Sequence, residues 1–591
     1  MLLYTAVFTI SVGFIEYRIP MVLWGVLYMF FQSKSQKKCL EIFVIVLAIL
    51  SAILYSLLKN WEMSESLRSW FFARVFAETG KFIVLDRSPL YSLYLNLFLW
   101  MGYPISVVVE HIVTSLIVVL ALIYLFKRYF GLILATFVSL LWIPFLTKYS
   151  EPSVQILALA FSLLGVAIRL KKPNKSKKAI SYAFFMLAYL FRPSYLPTLV
   201  VFALWDLIQL FKQKNFKKIV LSVKPNLYCI PLFIILSLIF LFTSMQSPHR
   251  FNNVYGTSTD WFPNEAKSQA QAGIIGLYNW KYIGVTYGSF KDKDFYFTNK
   301  EAFNDAKTTF EFIAANPKFI FEQLLRNIKD TIINFAWMTE LIIISRILFS
   351  SNSVFPLIIG SIAAFFIIFG ALKMSKYKSM TLFIISLILQ IGAITIFTPG
   401  QRYMAPLIPA LILSGFWFGL LMRDFLTKFK KLALPFAFIL FSNSIVLWGF
   451  VTLDAANSIY QNDIHILEQR PYSMKASFSA LNPLVQDCNG VLSLEHTFVG
   501  AFMDISLDKV YDVFEIPPFG YFEDPIYNGL RPDRIDCVLV SHELSTGIGF
   551  ATNYQIRYDN YIQPYVEELQ EIGAITYDIP TFGKAIILPK S

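Results

Sequence analysis

The sequence predicts a polytopic α-helical membrane protein of about 12 or 13 spans, with amphipathic helices in an external loop and a C-terminal soluble α/β domain. Three observations predict it. Of 591 residues, 56% are hydrophobic and 15% charged, with a mean hydropathy of +0.56, whereas a soluble domain is nearer a quarter charged. Runs such as 42–58, 105–126, 227–242 and 432–451 approach or exceed the ~20 apolar residues that cross a bilayer. The charges between these runs are sorted. Short basic turns at 34–38, 127–128, 171–178, 212–224, 373–378 and 423–431 hold a single acid, Asp424, while the longer connections carry most of the other acids. Short loops beside membrane helices keep Lys and Arg on the cytoplasmic side, so this sorting predicts the topology.

In chain order, spans are expected near 39–58, 105–126, 130–147, 152–170, 179–191, 195–211, 227–244, 353–372, 379–397, 404–421 and 432–453, with basic and non-basic connections alternating. Residues 1–32 are apolar on both sides of Glu16-Tyr17-Arg18 and make one long kinked helix or two short ones. The first apolar run is followed by no A-x-A-like site, so no cleaved leader is expected. The membrane domain is 1–453, with external loops 59–104 and 246–352, and the extracytoplasmic tail is 454–591.

In the first loop, Trp61, Leu67, Trp70, Phe71, Val75 and Phe82 interleave with Glu62, Glu65, Arg68, Arg74 and Lys81, a pattern that suits helices lying in the membrane interface. In the second, an aromatic-rich stretch at 255–296 precedes a helix-like run from 300 to about 349, broken at Asn316-Pro317. The tail has strand-like runs at 490–494, 510–516, 537–541, 574–579 and 585–588 and a helix-like run near 560–572, the mixture of a small α/β domain. No internal repeat is evident.

The net charge of +12 sits mostly in the cytoplasmic turns, where it suits anionic membrane lipids and gives no reason to expect nucleic acid. Cys39 and Cys229 lie at or in apolar segments. Cys488 and Cys537 share the tail and form either a disulfide or two separate buried thiols. Asp292-Lys293-Asp294 has a spacing that could hold a metal but equally suits solvated charge, and His465, His496 and His542 match no zinc spacing. There is no Walker loop, no GxGxxG after a strand and no GxSxG.

An enzyme working at the outer face has no nucleotide-activated substrate at hand, so its donor has to arrive through the membrane, most simply on a lipid. Such a site needs a carboxylate to take an acceptor proton and cations to hold a phosphate leaving group. The first loop supplies Glu62 and Glu65, then Arg68, Arg74, Lys81 and Arg87. Glu65 and Arg68, three apart, share a helix face, although an ordinary solvated amphipathic helix has the same composition. Glu151, Arg192 and Arg402 sit at the outer ends of spans. Ionisable groups there mark function or snorkel to headgroups; for the two arginines, stranded on the side that the basic turns avoid, function is expected. Glu110-His111 is expected to serve packing or a local hydrogen bond.

These residues together resemble the polytopic GT-C glycosyltransferases that use polyprenyl-phosphate sugars, among them protein O-mannosyltransferases and the lipid A aminoarabinose transferase. The family's first external loop runs acid, A-R, glycine, P-L-Y, glycine; here Glu65, Ala73-Arg74, Gly80, Ser88-Pro89-Leu90-Tyr91 and Gly102 follow that order. Tyr149-Ser150-Glu151-Pro152 is similar to its S-E-P, and Leu190-Phe191-Arg192-Pro193 to its x-x-R-P. Arg402-Tyr403 with Pro406 and Pro409 is similar to its R-Y-x-x-P-x-x-P, and 306–329 to the helix after its large loop. The resemblance spans roughly 39–453. The family acid is usually Asp, so Glu62 and Asp86 remain rivals to Glu65, and the tail carries no family motif.

The resemblance implies an inverting glycosyltransferase of the inner (plasma) membrane, its active site outside, moving a hexose or pentose from a polyprenyl-phosphate donor to a hydroxyl on a glycan, lipid or protein. It implies Glu65, Glu62 and Glu151 as catalytic residues, Arg192, Arg402, Lys81 and Arg87 as donor-phosphate ligands, and Tyr91 and Tyr403 as substrate contacts. The donor is the one implied cofactor-like molecule; no metal ligand set is assigned, and a divalent ion stays open. Two other classes fit the composition: a transferase or polymerase using diphosphate-linked glycans, and a lipid-linked sugar transporter or flippase. A transporter favours polar pairs at mid-membrane and repeat symmetry, whereas the charges here gather at outer ends.

Overall fold

The structure is a computed structural model. It describes residues 63–80, 89–132, 154–169, 175–211, 309–340, 378–397, 474–493, 496–512, 532–541, 562–579 and 582–589, with scattered positions in 42–56, 135–139 and 302–306 and at 558. The expected spans at 227–244, 353–372, 404–421 and 432–453, residues 1–32 and Asp292-Lys293-Asp294 lie outside that set.

The first external loop forms two helices, α1 (Met63–Thr79) and α2 (Pro89–Leu99). Gly80 ends α1 with φ +67° while its N–H donates to the Phe76 carbonyl at 2.8 Å, a left-handed exit that favours glycine. The bundle follows: α3 (Ile105–Phe130), α4 (Val154–Arg169), α5 (Lys175–Phe191), α6 (Leu196–Phe211) and α9 (Lys378–Phe397). Helix α4 packs on α3 and α5, and α9 on α6. These helices coincide with expected spans to within a few residues. Among the described residues one helix, Ile105–Lys127, is long and apolar enough to cross a membrane, and four shorter apolar helices accompany it. The α5–α6 hairpin reverses at the expected Arg192-Pro193, where the Arg192 carbonyl accepts the Tyr195 N–H at 3.0 Å across a 3₁₀ turn (Pro193–Tyr195).

The second external region gives α7 (Thr309–Ala315) and α8 (Pro317–Glu340). The break is local chemistry. Pro317, lacking an N–H, suits a first helical turn, and the Asn316 side-chain oxygen accepts the Phe319 N–H at 3.2 Å as a cap.

The tail is an α/β domain. Helix α10 (Met474–Val485) precedes β1 (Val491–Ser493), then α11 (His496–Phe502), β2 (Val510–Asp512), β3 (Cys537–Ser541), α12 (Gln563–Glu571), β4 (Ile575–Ile579) and β5 (Gly583–Ile587). The sheet order is β2-β1-β3-β5-β4, parallel across β2-β1-β3 and antiparallel across β3-β5-β4. All five expected strands form. Period-two alternation splits the sheet's faces: Val491, Cys537, Leu539 and Ala585 join the core shared with the bundle, while Leu492, Val538, Val540 and Ile586 pack with Tyr565 and Leu569 of α12. Tyr565 donates to the Ile535 carbonyl at 2.5 Å, and burial pushes its phenol pKa upward, keeping the donor protonated.

Cys488 and Cys537 form a disulfide, which decides between the two expectations above. Closing a 49-residue separation removes denatured-state entropy worth about 4 kcal/mol on the chain-entropy account. Disulfides persist in oxidising compartments, so the bond agrees with the external placement that the charge sorting gives the tail.

The surface-helix expectation for α1 needs correction. Ser69, Trp70, Phe71, Phe72, Ala73 and Val75 are all buried. Consecutive residues lie 100° apart around a helix, so burial there covers every side. Trp70 and Phe71 face the tail domain rather than a lipid interface, because α11 packs on α1.

At the other end of the bundle the structure buries charges that the sequence reading did not single out. Arg169 donates to Asp206 at 2.8 Å and to Ser181 at 2.7 Å, with its guanidinium 4.6 Å from the Tyr182 ring centroid. Tyr182 donates to Asp206 at 2.9 Å, and Lys178 lies 3.3 Å from it. A buried pair is costly to break because the surviving charge is left in low dielectric. Asp206→Ala is therefore expected to destabilise the protein by about 3–5 kcal/mol. The double change Arg169→Met/Asp206→Leu should recover most of that loss, read as thermal midpoints of the purified protein.

Candidate functional site

The site builds up from α2, whose Pro89 start and apolar sequence set it across the α3 and α5 ends. Tyr91 and Tyr94, three apart and so on one face, stack at 6.1 Å with planes 20° apart. Tyr94 meets Phe98 edge-on at 5.2 Å and Phe191, the residue before Arg192, edge-on at 6.3 Å. Phe191 in turn stacks on Phe161 of α4 at 5.5 Å. An aromatic column thus links the first loop to the Arg192 turn, in the offset and edge-to-face geometries that ring quadrupoles favour.

Beneath the column lies a buried polar relay. The Tyr94 hydroxyl and the Thr114 hydroxyl are 2.9 Å apart, and Thr114 donates to the Glu110 carboxylate at 2.7 Å. His111 Nε2 lies 3.5 Å from the other Glu110 oxygen. The Ser56 hydroxyl lies within hydrogen-bond distance of the Ala52 and His111 carbonyls and of the Ser115 hydroxyl, tying the preceding helical residues to α3. Glu110 is only 1% exposed. Burial, with the Glu110 charge second, pushes the Tyr94 pKa upward against the Thr114 hydrogen bond, so the phenol stays neutral. The expected local role of Glu110-His111 is thus observed, within a wider network.

Of the residues expected at the site, Glu65 lies in the first turn of α1, Tyr91 is buried in the column, and Arg192 is half-buried at its edge. The Arg192 N–H donates to the Ala188 carbonyl at 2.9 Å, closing α5. Tyr91 is thus linked through Tyr94 and Phe191 to the turn that holds Arg192, and α1 packs on α2. Glu62, Lys81, Asp86, Arg87, Glu151, Arg402 and Tyr403 lie outside the described residues.

The tail closes on this end through Arg74. Its Nε donates to Glu78 at 2.6 Å, its Nη1 to the Gly500 and Met503 carbonyls at 3.0 and 2.6 Å, and its Nη2 to the Ile505 carbonyl at 2.7 Å. Tyr103 packs against Phe478 and Phe502 at 5.6 and 5.0 Å, and burial raises its pKa. No local sequence signal marks α11 as a docking element. Among the described residues, Cys488, Asp536 and Cys537 form the one close metal-ligand grouping. The sulfurs are joined to each other, and one Asp536 oxygen accepts the Asn489 and Gly490 N–H groups at 2.8 and 3.2 Å, so the group serves structure.

No protein-family model and no curated protein matches the chain. Among solved structures it is similar to ArnT from Cupriavidus metallidurans in the apo state, at 11% identity over 94% of this chain and 99% of that one, TM-score 0.36. It is likewise similar to that protein bound to undecaprenyl phosphate, at 10% identity over 93% and 98%, TM-score 0.37. Likeness at this level assigns no residue its role.

The relay makes its own prediction. Thr114→Val strands the Glu110 oxygen and the Tyr94 hydroxyl and is expected to cost about 1–3 kcal/mol. Thr114→Ser, which keeps the hydroxyl, should restore most of it, as read by thermal unfolding.

Proposed function

We propose that the protein is an extracytoplasmic membrane glycosyltransferase, moving a sugar from a polyprenyl-phosphate donor to an acceptor hydroxyl with inversion. The observation that supports the reading is a chain of contacts: α1, the helix that carries Glu65, packs on the aromatic α2, whose Tyr94 meets Phe191 beside the Arg192 turn. The ordered motifs at Glu65, Ala73-Arg74, Pro89-Leu90-Tyr91, Glu151, Arg192-Pro193 and Arg402-Tyr403 supply the chemical class.

In this mechanism Glu65 takes the acceptor proton as the hydroxyl oxygen attacks the anomeric carbon. The bond from that carbon to the phosphate oxygen breaks on the opposite side, and the lipid phosphate leaves with the electron pair. Negative charge grows on the phosphate along the path, so fixed guanidinium groups lower the barrier. Arg192 and Arg402 are suited to this because a planar fork binds two phosphate oxygens at once; Lys81 and Arg87 are the further cations. Glu151 orients the acceptor or a cation, and Tyr91 and Tyr403 flank the substrate.

Glu65→Gln is expected to abolish transfer from a panel of radiolabelled polyprenyl-phosphate sugars while leaving membrane insertion intact. Full activity in that variant transfers the role to Glu62. Arg402→Ala is expected to weaken donor use, seen as a raised donor KM; an unchanged donor dependence makes Arg402 structural.

A further inference from the structure

We infer that the C-terminal α/β domain is a working part of the outer site and that Arg74 is the positioning residue through which it acts. The inference rests on the reading of Glu65 as the base. Arg74 lies on the same helix as Glu65, two and a half turns further on, about 14 Å along the axis.

The last carbonyls of a helix have no intrahelical partners and form the negative end of its dipole. Arg74 places its guanidinium at that end of α11, on the carbonyl of Gly500 in the last turn and on those of Met503 and Ile505 just beyond it. Three of its contacts go to backbone carbonyls, at Gly500, Met503 and Ile505. Backbone acceptors cannot rotate away as side chains do, so the contact fixes orientation as well as attraction. Glu78, one turn on, holds the Nε edge and sets the fork's plane. A lysine has one nitrogen and no planar fork, and cannot reproduce that geometry.

The apolar half of the seam is equally particular. A Cβ added at Gly500 would stand 2.4 Å from two ring atoms of Phe71. Glycine lets the α11 backbone lie directly on that ring, and Phe502 meets Trp70 at 5.6 Å beside it. The cation and the ring come from adjacent turns of α1 and clasp one turn of α11.

A base has to stand within hydrogen-bond reach of its proton, and a misplacement of about 1 Å costs on the order of 10²-fold in rate. The domain that fixes α1 therefore bears on turnover more than on donor affinity. Its disulfide, joining Cys488 to Cys537 in the core shared with α1, keeps the clasping half rigid.

The test uses the full-length protein in lipid nanodiscs. Arg74→Ala, Arg74→Lys and Gly500→Val are compared by amide exchange across 63–79 and 496–507 and by turnover of the same polyprenyl-phosphate sugar panel. Exchange in both segments is expected to rise roughly tenfold or more in Arg74→Ala and Gly500→Val, with the disulfide intact. Their kcat is expected to fall about 10- to 100-fold with donor KM nearly unchanged, and Arg74→Lys should lie between. Gly500→Val opens the seam from the tail side, so the result does not hang on Arg74→Ala folding. Raised exchange with unchanged kcat overturns the positioning role, and unchanged exchange overturns the clasp. If wild type turns over no donor, the transfer reading fails and the positioning role with it, while exchange still reports the clasp.

Discussion

The contact on which the outer end of the structure depends is the seam between α1 and α11. It joins residues more than 400 positions apart through backbone carbonyls on one side and a single guanidinium on the other. Because Phe71 lies against the Gly500 backbone, the seam buries Trp70 and Phe71 as well. Burial on every side of its middle, 69–75, turns that part of α1 from a surface helix into a core element. Helix α2 packs on α1, and its tyrosines reach Phe191, so the Arg192 turn takes its place relative to the tail through that chain of contacts.

The opposite end of the described bundle is fastened by different physics. There α4, α5 and α6 meet around Asp206, which receives Arg169, Lys178 and Tyr182. An apolar core packs adequately in many registers, whereas a buried carboxylate is satisfied in few. The cluster therefore adds to the meeting of these three helices a geometric constraint that apolar packing alone does not supply. Its position beside the basic 171–178 turn also keeps Lys178 at the edge of the network, where it is partly solvated.

Much of the architecture was legible because local physics encodes it. A short continuous apolar run rich in valine marked β3 to the residue, and Asn316-Pro317 marked a helix boundary because proline lacks an amide and asparagine caps. Arg192-Pro193 marked a hairpin for related reasons. The helices α10 and α11 escaped notice, as did the docking of the tail. Gly500 looks ordinary in sequence, and only the ring of Phe71, brought to it by tertiary structure, makes glycine necessary there. Arg169 and Asp206 could have been noticed: lone ionisable residues at the end of, or inside, apolar runs carry that signal. At the site, motif order pointed to Tyr91 on α2 and to the Arg192 turn, which the Tyr94–Phe191 contact links, whereas the Glu110–Thr114–Tyr94 relay has no sequence signature beyond one acid in an apolar helix.

The two arginines near this end of the bundle, Arg74 and Arg192, sit in different surroundings. Arg74 already spends its donors on four acceptors, three of them carbonyls that cannot leave. A guanidinium so engaged has little left to offer a phosphate, which fits it for holding protein to protein. Arg192 instead sits half-buried at the end of α5, beside Phe191 and the aromatic column. A cation next to apolar rings acts on a nearby anion through a lower effective dielectric than bulk water provides. In the proposed reaction, phosphate departure calls for a charge placed where water is scarce. On the proposed reading Arg192 would serve that departure only while α2 is kept against α5, which returns the chemistry to the seam that holds α1 and α2 in place.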